Sequence, residues 1–191
     1  MGKLKPCGEE KIVFEGQILE IVKQPMSDGK RNLEYEFARR SPGVRLLIVK
    51  NDKILLTKEF RVEISEEDFR LPGGKVFDTL PEYKKALNKD IIPFATEAAK
   101  KECLEETGLI ANNLKFLYKA TTGGSTVRWD LYYFVVNDFS ESPDGQNLEL
   151  GEDIQVEWKT FEEAKQLCLQ NHVKEDRSVS VLLKFILGRE K

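Results

Sequence analysis

The stretch Ala98–Ile110, AAKKECLEETGLI, constrains this 191-residue chain more than any other. On a helix, at about 100° per residue, Glu102, Glu105 and Glu106 fall within roughly one third of the circumference. Three carboxylates on one face repel one another unless something positive sits between them. A hard divalent cation that prefers oxygen ligands, Mg²⁺ or Mn²⁺, would remove that repulsion. Ala98, Ala99 and Cys103 give the same helix, expected over Ala95–Thr107, a small inner face for close packing on a sheet. Thr107-Gly108 ends it, with Gly108 suited to a left-handed cap. Taken alone, an E-x-x-E-E face is more often a solvated acidic surface. What lies upstream changes that weighting.

Leu71-Pro72-Gly73-Gly74 follows a strand-like run and turns the chain sharply. Its two glycines allow close backbone approach and leave carbonyls free to point at a ligand. A GG followed at a distance by K-E-C-L-E-E-T-G-L resembles the signature box of the Nudix hydrolases. That box reads G, five residues, E, seven residues, R-E-U-x-E-E-x-G-U, with U a bulky apolar residue. Glu102, Glu105, Glu106, Gly108 and Leu109 match its second half residue by residue. The departures are as informative. Gly74 and Lys101 lie 27 positions apart, against about 14 in the pattern, so roughly a dozen residues are inserted inside the box, within 78–92. Counting back from Lys101, the first box glutamate falls on Pro93, which has no carboxylate. Lys101 stands at the box arginine, whose implied role is to orient the glutamates; lysine keeps the charge and loses the planar fork. Glu97, four residues earlier, is spaced to pair with it.

Composition sets the outer bounds. With 30 basic and 33 acidic residues the formal net charge is −3, and no electrostatic nucleic-acid footprint is indicated. Cys7, Cys103 and Cys168 are odd in number, widely spaced and without a C-x-x-C, so they read as reduced thiols rather than a disulfide or zinc framework. No stretch approaches the roughly 18 apolar residues of a membrane span, and no apolar run resembles a signal peptide. The expectation is a single-domain cytoplasmic protein, 1–191, with no membrane partner.

In chain order, Lys11–Val22 alternates as one or two strands interrupted at Gly16 by a bulge. Ser27-Asp28-Gly29-Lys30 signals a turn into a strand over Leu33–Arg39. Val44–Val49 and Ile54–Leu56 are apolar runs joined by Asn51-Asp52. Thr79-Leu80-Pro81-Glu82 fits a capping box opening a lysine-rich helix that runs to Lys89. That helix is either a surface excursion or a lid bringing Lys84, Lys85 and Lys89 towards phosphate. Leu114–Ala120 and Val127–Val136 read as strands around a small polar loop, Thr121–Thr126, which either binds phosphate through its N–H groups or only connects a hairpin. Trp129, Tyr132 and Tyr133 read as core aromatics more readily than as stacking platforms for a base. Phe139–Gly151 reads as loop and Ile154–Trp158 as a strand. Thr160 caps a helix from Phe161 to about Gln170, and Ser178–Leu187 closes the chain as a helix.

The opening, K-x-V-F-E-G, S-D-G-K, A-R-R-S-P-G-V and K-E-F-R, resembles the N-terminal half of the ADP-ribose/nucleotide-sugar branch of the Nudix family. That resemblance implies an α/β/α sandwich with a mixed sheet and an antiparallel N-terminal strand extension, 1–42, that pairs two subunits as a homodimer. It implies Mg²⁺- or Mn²⁺-dependent cleavage of the pyrophosphate bond of a nucleoside diphosphate linked to another moiety. Glu102, Glu105, Glu106 and the Gly73 carbonyl would hold the metal. Arg39, Arg40 and Arg61 suit phosphate by their bidentate geometry. Arg70 stands where the ADP-ribose enzymes often carry glutamate, which leaves the nucleobase open. Within G-E-D-I-x-V-E-W, Glu152 is the candidate general base, with Glu149 second. Two other readings stay open: a Nudix domain that binds a nucleotide as a sensor without turnover, and an interaction protein whose acidic helix is only a solvated face.

Overall fold

The computed structural model describes residues 3–122 and 126–189. In chain order these form β1 (Lys5–Pro6), β2 (Lys11–Glu15), β3 (Leu19–Ser27), β4 (Asn32–Arg40), β5 (Gly43–Lys50), β6 (Lys53–Arg61) and β7 (Glu66–Arg70). Then follow α1 (Leu80–Lys84), α2 (Ile92–Thr107), β8 (Leu109–Ala120), β9 (Val127–Arg128), β10 (Leu131–Glu141), β11 (Gln155–Thr160), α3 (Phe161–Leu169) and α4 (Asp176–Arg189).

Two-sided burial of β5 fixes the architecture. Its run from Val44 to Val49 is buried throughout, as a central strand covered on both faces must be. Because successive side chains alternate, Val44, Leu46 and Ile48 face one layer with Leu55, Tyr132, Phe134 and Val136. Leu47 and Val49 face the other with Ile54, Leu56, Leu131 and Tyr133. Ala95, Ala98, Ala99 and Cys103 of α2 close the first core; Ala164, Cys168, Val181, Leu182 and Ile186 of α3 and α4 close the second. The sheet runs β11-β6-β5-β10-β8, with β7 also on β6. Only β5–β10 is parallel, so the sheet is mixed and the expected α/β/α sandwich is present. Small residues on the inner face of α2 let the helix lie close to β5 and β10, which brings its glutamates down to the sheet edge.

The N-terminal strands form a second sheet, β1-β3-β4-β9, with β2 also on β3. Two short links join the sheets side by side. Ser41-Pro42 connects β4 to β5, and Trp129-Asp130 connects β9 to β10, with Arg39 paired to Arg128 in one sheet and Gly43 to Leu131 in the other. Val127–Val136 is therefore not one strand: it breaks at Trp129-Asp130 to serve both sheets. β10 runs on to Glu141, beyond the expected start of the loop at Phe139, because β8 already begins at Leu109 and pairs with it there. Gly16 lies in the β2–β3 turn, its N–H donating to the Leu19 carbonyl at 2.9 Å; the bulge falls instead between Ile12 and Phe14. Asn51 and Asp52, at φ 50° and 57°, make the tight β5–β6 turn with the mirror-image geometry that hairpins favour.

Thr79 and Thr160 both cap helices through complete capping boxes, and Gly108 ends α2 in the left-handed region at φ 69°. Helix α1 stops at Lys84, short of the expected Lys89. Lys84 bonds Glu15 and Glu20 of the N-terminal sheet at 2.8 and 3.0 Å, so this segment is anchored rather than an excursion. Within the Thr121–Thr126 loop, residues 123–125 lie outside the described residues. Among the described residues no helix is long and apolar enough to cross a membrane.

Ala99 is fully buried against the sheet. Ala99→Leu is expected to lower unfolding free energy by about 1–3 kcal/mol through overpacking; urea denaturation checks it.

Candidate active site

The glycine turn lies along β5 as though it were a further strand. The Val44 and Leu46 N–H groups donate to the carbonyls of Gly74 and Pro72, both at 2.9 Å. A Cβ on Gly73, at φ +140°, would stand 2.2 Å from the Val44 carbonyl oxygen, and one on Gly74 would stand 2.1 Å from Glu102 Oε1. Gly73 is therefore demanded by the neighbouring backbone, whereas a side chain at Gly74 would displace the Glu102 carboxylate. The Gly73 N–H donates to Glu106 Oε2 at 2.7 Å, which ties the turn to α2. Its carbonyl, expected to be free, accepts from Arg45 Nη1 at 3.0 Å, with one lone pair remaining.

Turn and helix wall a cavity of about 260 Å³. Glu102, Glu105, Glu106, Glu149, Glu152, Gly73, Arg40, Arg61 and Arg70 all line it, although they come from residue positions more than a hundred apart in sequence. Arg39 does not. It lies in a separate, larger cleft of about 800 Å³, bonded to Glu10 and Glu20 at 2.6 Å each. Alternation along β4 turns neighbouring arginines to opposite faces, and two carboxylates already claim this one. Glu59, Lys75, Asp78, Arg45 and Trp129 complete the cavity, and of these only Trp129 drew notice in the sequence. Lone residues on strand ends carry no motif, and Arg45 occupies a position that the strand pattern assigns to an apolar side chain.

The charge balance inside is uneven. Burial first, then repulsion by Glu102 and Glu152, pushes Glu106 up to about 8 despite the Gly73 N–H and Arg45. Burial and Glu105 push Glu102 up to about 7. Burial also raises Glu59, with Arg61 opposing. Lys101 reaches Glu105 at 3.3 Å and Glu149 at 4.0 Å; Glu97 pairs with Lys100 instead, at 2.8 Å. Glu152 accepts from the Glu149 N–H at 2.9 Å.

Cationic groups on the opposite side have capacity to spare. Arg61 bonds Glu59 at 2.8 Å and Arg70 bonds Asp68. Arg40 lies over the Trp129 ring at 4.2 Å, as does Arg177 at 4.1 Å. Among the described residues, the buried Nε atoms of Arg40 and Arg61 and Nε1 of Trp129 have no hydrogen-bond partner. Buried donors of this kind are satisfied in native proteins with few exceptions, so three orphans at one cavity suit an anionic ligand. Crowded, desolvated carboxylates suit a hard divalent cation. Among the described residues, no three His, Cys, Asp or Glu side chains form a ready-made metal cluster; the fit is one of donor chemistry.

Residues 93–181 match the NUDIX domain family. The fold is similar to that of a solved structure described as "Crystal structure of ADP compounds hydrolase", with a TM-score of 0.68 and 19% identity, over 97% of this chain and 93% of that one. At that identity the likeness speaks to the fold. No curated protein matched. The family match spans 93–181, the second half of the chain, and the fold likeness extends over nearly all of it.

A carboxyl whose pKa is raised on folding contributes stability below its unfolded value, near 4.5 for Glu106, and loses it as pH rises through about 8. In metal-free protein, Glu106→Gln is therefore expected to raise the melting temperature at pH 9, by about 2–4 °C per kcal/mol relieved, and to give no gain at pH 5. Calorimetry at the two pH values checks it.

Proposed function

We propose that this chain is a Nudix-type hydrolase that cleaves the pyrophosphate bond of a nucleoside diphosphate linked to a second moiety, with ADP-ribose or a nucleotide sugar as substrate. The products would be a nucleoside monophosphate and a phosphorylated partner. One observation carries the reading: desolvated, mutually repelling carboxylates and arginines with unpaired buried donors face the same cavity. That combination suits a divalent cation and a diphosphate side by side.

Glu102, Glu105 and Glu106, with the second lone pair of the Gly73 carbonyl, are the residues that would hold Mg²⁺ or Mn²⁺. When bound, such an ion lowers the pKa of a water and neutralises charge on the pyrophosphate. Arg40, Arg61 and Arg70 bind the phosphate oxygens, their forks suited to bidentate contact. Glu152 accepts the proton of the attacking water, with Glu149 the alternative. Catalysis of this kind is mostly positioning and electrostatics, which suits carboxylates set on a helix locked to a rigid strand. The segment 78–92 is read as an insertion inside the box, anchored to the N-terminal sheet through Lys84.

A second reading, a nucleotide sensor without turnover, draws on Lys101, whose ion pairs go to Glu105 and Glu149, and on Pro93 at the first box glutamate. A hydrolysis panel separates the two. It would hold ADP-ribose, nucleotide sugars, dinucleoside polyphosphates, coenzyme A and nucleoside triphosphates with Mg²⁺. Turnover of a diphosphate-linked class is expected, reduced at least about 100-fold in Glu106→Gln. Silence across the panel with nucleotide still bound would favour the sensor.

The partner is read as a second copy. Ile12, Val13, Phe14, Leu33 and Tyr35 are exposed on β2 and β4, an apolar face that suits burial between subunits. Light scattering is expected to give twice the 22.0 kDa of one chain. A mass of one chain at micromolar concentration would dismiss the dimer.

A further inference from the structure

We infer that Arg45, rather than Lys101, is the residue that positions the glycine turn and, through it, the Glu106 carboxylate; the inference rests on the hydrolase reading of this cavity. Arg45 lies on β5, the strand buried on both faces, among Leu47 and Val49 where the pattern asks for an apolar side chain. It is only 6% exposed. A buried guanidinium is strongly disfavoured unless its donors and charge are matched, and here both are. Nε and Nη2 approach the two carboxylate oxygens of Glu175 at 3.1 and 3.3 Å. Ser178 Oγ donates to the same carboxylate at 2.5 Å. That leaves Nη1, which donates to the carbonyls of Val44 at 2.9 Å and of Gly73 at 3.0 Å.

The consequence is a chain of fixed contacts leading to the acidic wall. Glu175, just before α4, holds the guanidinium flat. The guanidinium holds the carbonyl of Gly73. The N–H of the same Gly73 holds Glu106 Oε2. Gly73 is thus gripped at both ends, at the place where any larger residue would collide with the Val44 carbonyl. Lys101, at the position of the box arginine, is half-exposed and its ion pairs go to Glu105 and Glu149. The planar fork missing from the box is supplied from another strand, and the geometry of a fork is what the job requires, since an ammonium cannot hold a carboxylate bidentately while aiming a fixed donor at two carbonyls.

The test compares the full-length wild type with Arg45→Lys, the double variant Arg45→Met/Glu175→Gln, and Lys101→Ala. The double variant removes both charges of the buried Arg45–Glu175 pair together. Mn²⁺ affinity of the protein alone is measured by titration, kcat and KM with ADP-ribose, and folding by thermal unfolding. Residues that orient metal-binding groups typically contribute 10–100-fold. Both Arg45 variants are expected to lose Mn²⁺ affinity and kcat by about that factor with KM changed less than about 3-fold, while Lys101→Ala stays within about 3-fold throughout. Arg45 variants that keep wild-type Mn²⁺ affinity and kcat, or a larger loss in Lys101→Ala, would overturn the inference. Should the double variant fail to fold, Arg45→Lys decides by the same measures. A wild type that hydrolyses nothing but binds Mn²⁺ sinks the hydrolase reading, and the affinity comparison still decides Arg45. A wild type that binds no Mn²⁺ overturns both.

Discussion

The hydrogen bond from the Gly73 N–H to Glu106 joins a turn with no room for a side chain at Gly73 to the helix face that carries Glu102, Glu105 and Glu106. Everything around it is arranged to make that meeting tolerable. Ala95, Ala98, Ala99 and Cys103 bring α2 close enough to the sheet for its glutamates to reach the turn. The turn bonds to β5 as a strand would, so its carbonyls and N–H groups have fixed directions. β5 itself is immobilised by apolar layers on both faces. A carboxylate held this way is oriented without being neutralised, and burial first, then repulsion from neighbouring carboxylates, shifts Glu102 and Glu106 upward.

Such an arrangement is locally unfavourable and globally consistent. Folding brings together carboxyls that would separate freely in an unfolded chain, and it leaves three donors unpaired across the same cavity. Elsewhere the rules are kept: both capping boxes are complete, positive φ falls mainly on Gly, Asn and Asp, and β5 alternates without fault except at Arg45. Departures concentrated at one cavity are what a binding or catalytic site looks like in a well-ordered fold, where stability is given up for function.

Much of this was legible in the sequence, for reasons that can be named. Gly108, Thr79 and Thr160 act through bonds to residues at most four away, so their roles are written locally. The Val44–Val49 run declares a doubly covered strand by composition alone. E-x-x-E-E sets its carboxylates on one face by helical period. What escaped was long-range. Nothing near Arg45 indicates Glu175, which lies 130 residues on; nothing near Arg39 indicates that Glu10 and Glu20 will take it away from the cavity. The break at Trp129-Asp130 was hidden because both halves of Val127–Val136 have strand composition, and only the presence of two sheets divides them. By its place in the box Lys101 is a weakened arginine, whereas its ion pairs turn it towards Glu105 and Glu149.

The paired two-residue links between the sheets have a mechanical meaning. A pair of residues spans at most about 7 Å, so Arg40, the last residue of β4, is brought to the cavity by the N-terminal sheet. Trp129, in the second link, instead packs on the sandwich core and accepts at its carbonyl from Arg177 of α4 at 2.7 Å. The carboxylates and Arg61 ride with the sandwich. The cavity is thus walled from two sheets. The first link is pinned where it passes the glycine turn, by the Phe77 N–H on Ser41 Oγ at 3.1 Å and the Val76 N–H on the Pro42 carbonyl at 2.9 Å. The position of the cavity's Arg40 wall is therefore set by how the N-terminal sheet is seated against the sandwich.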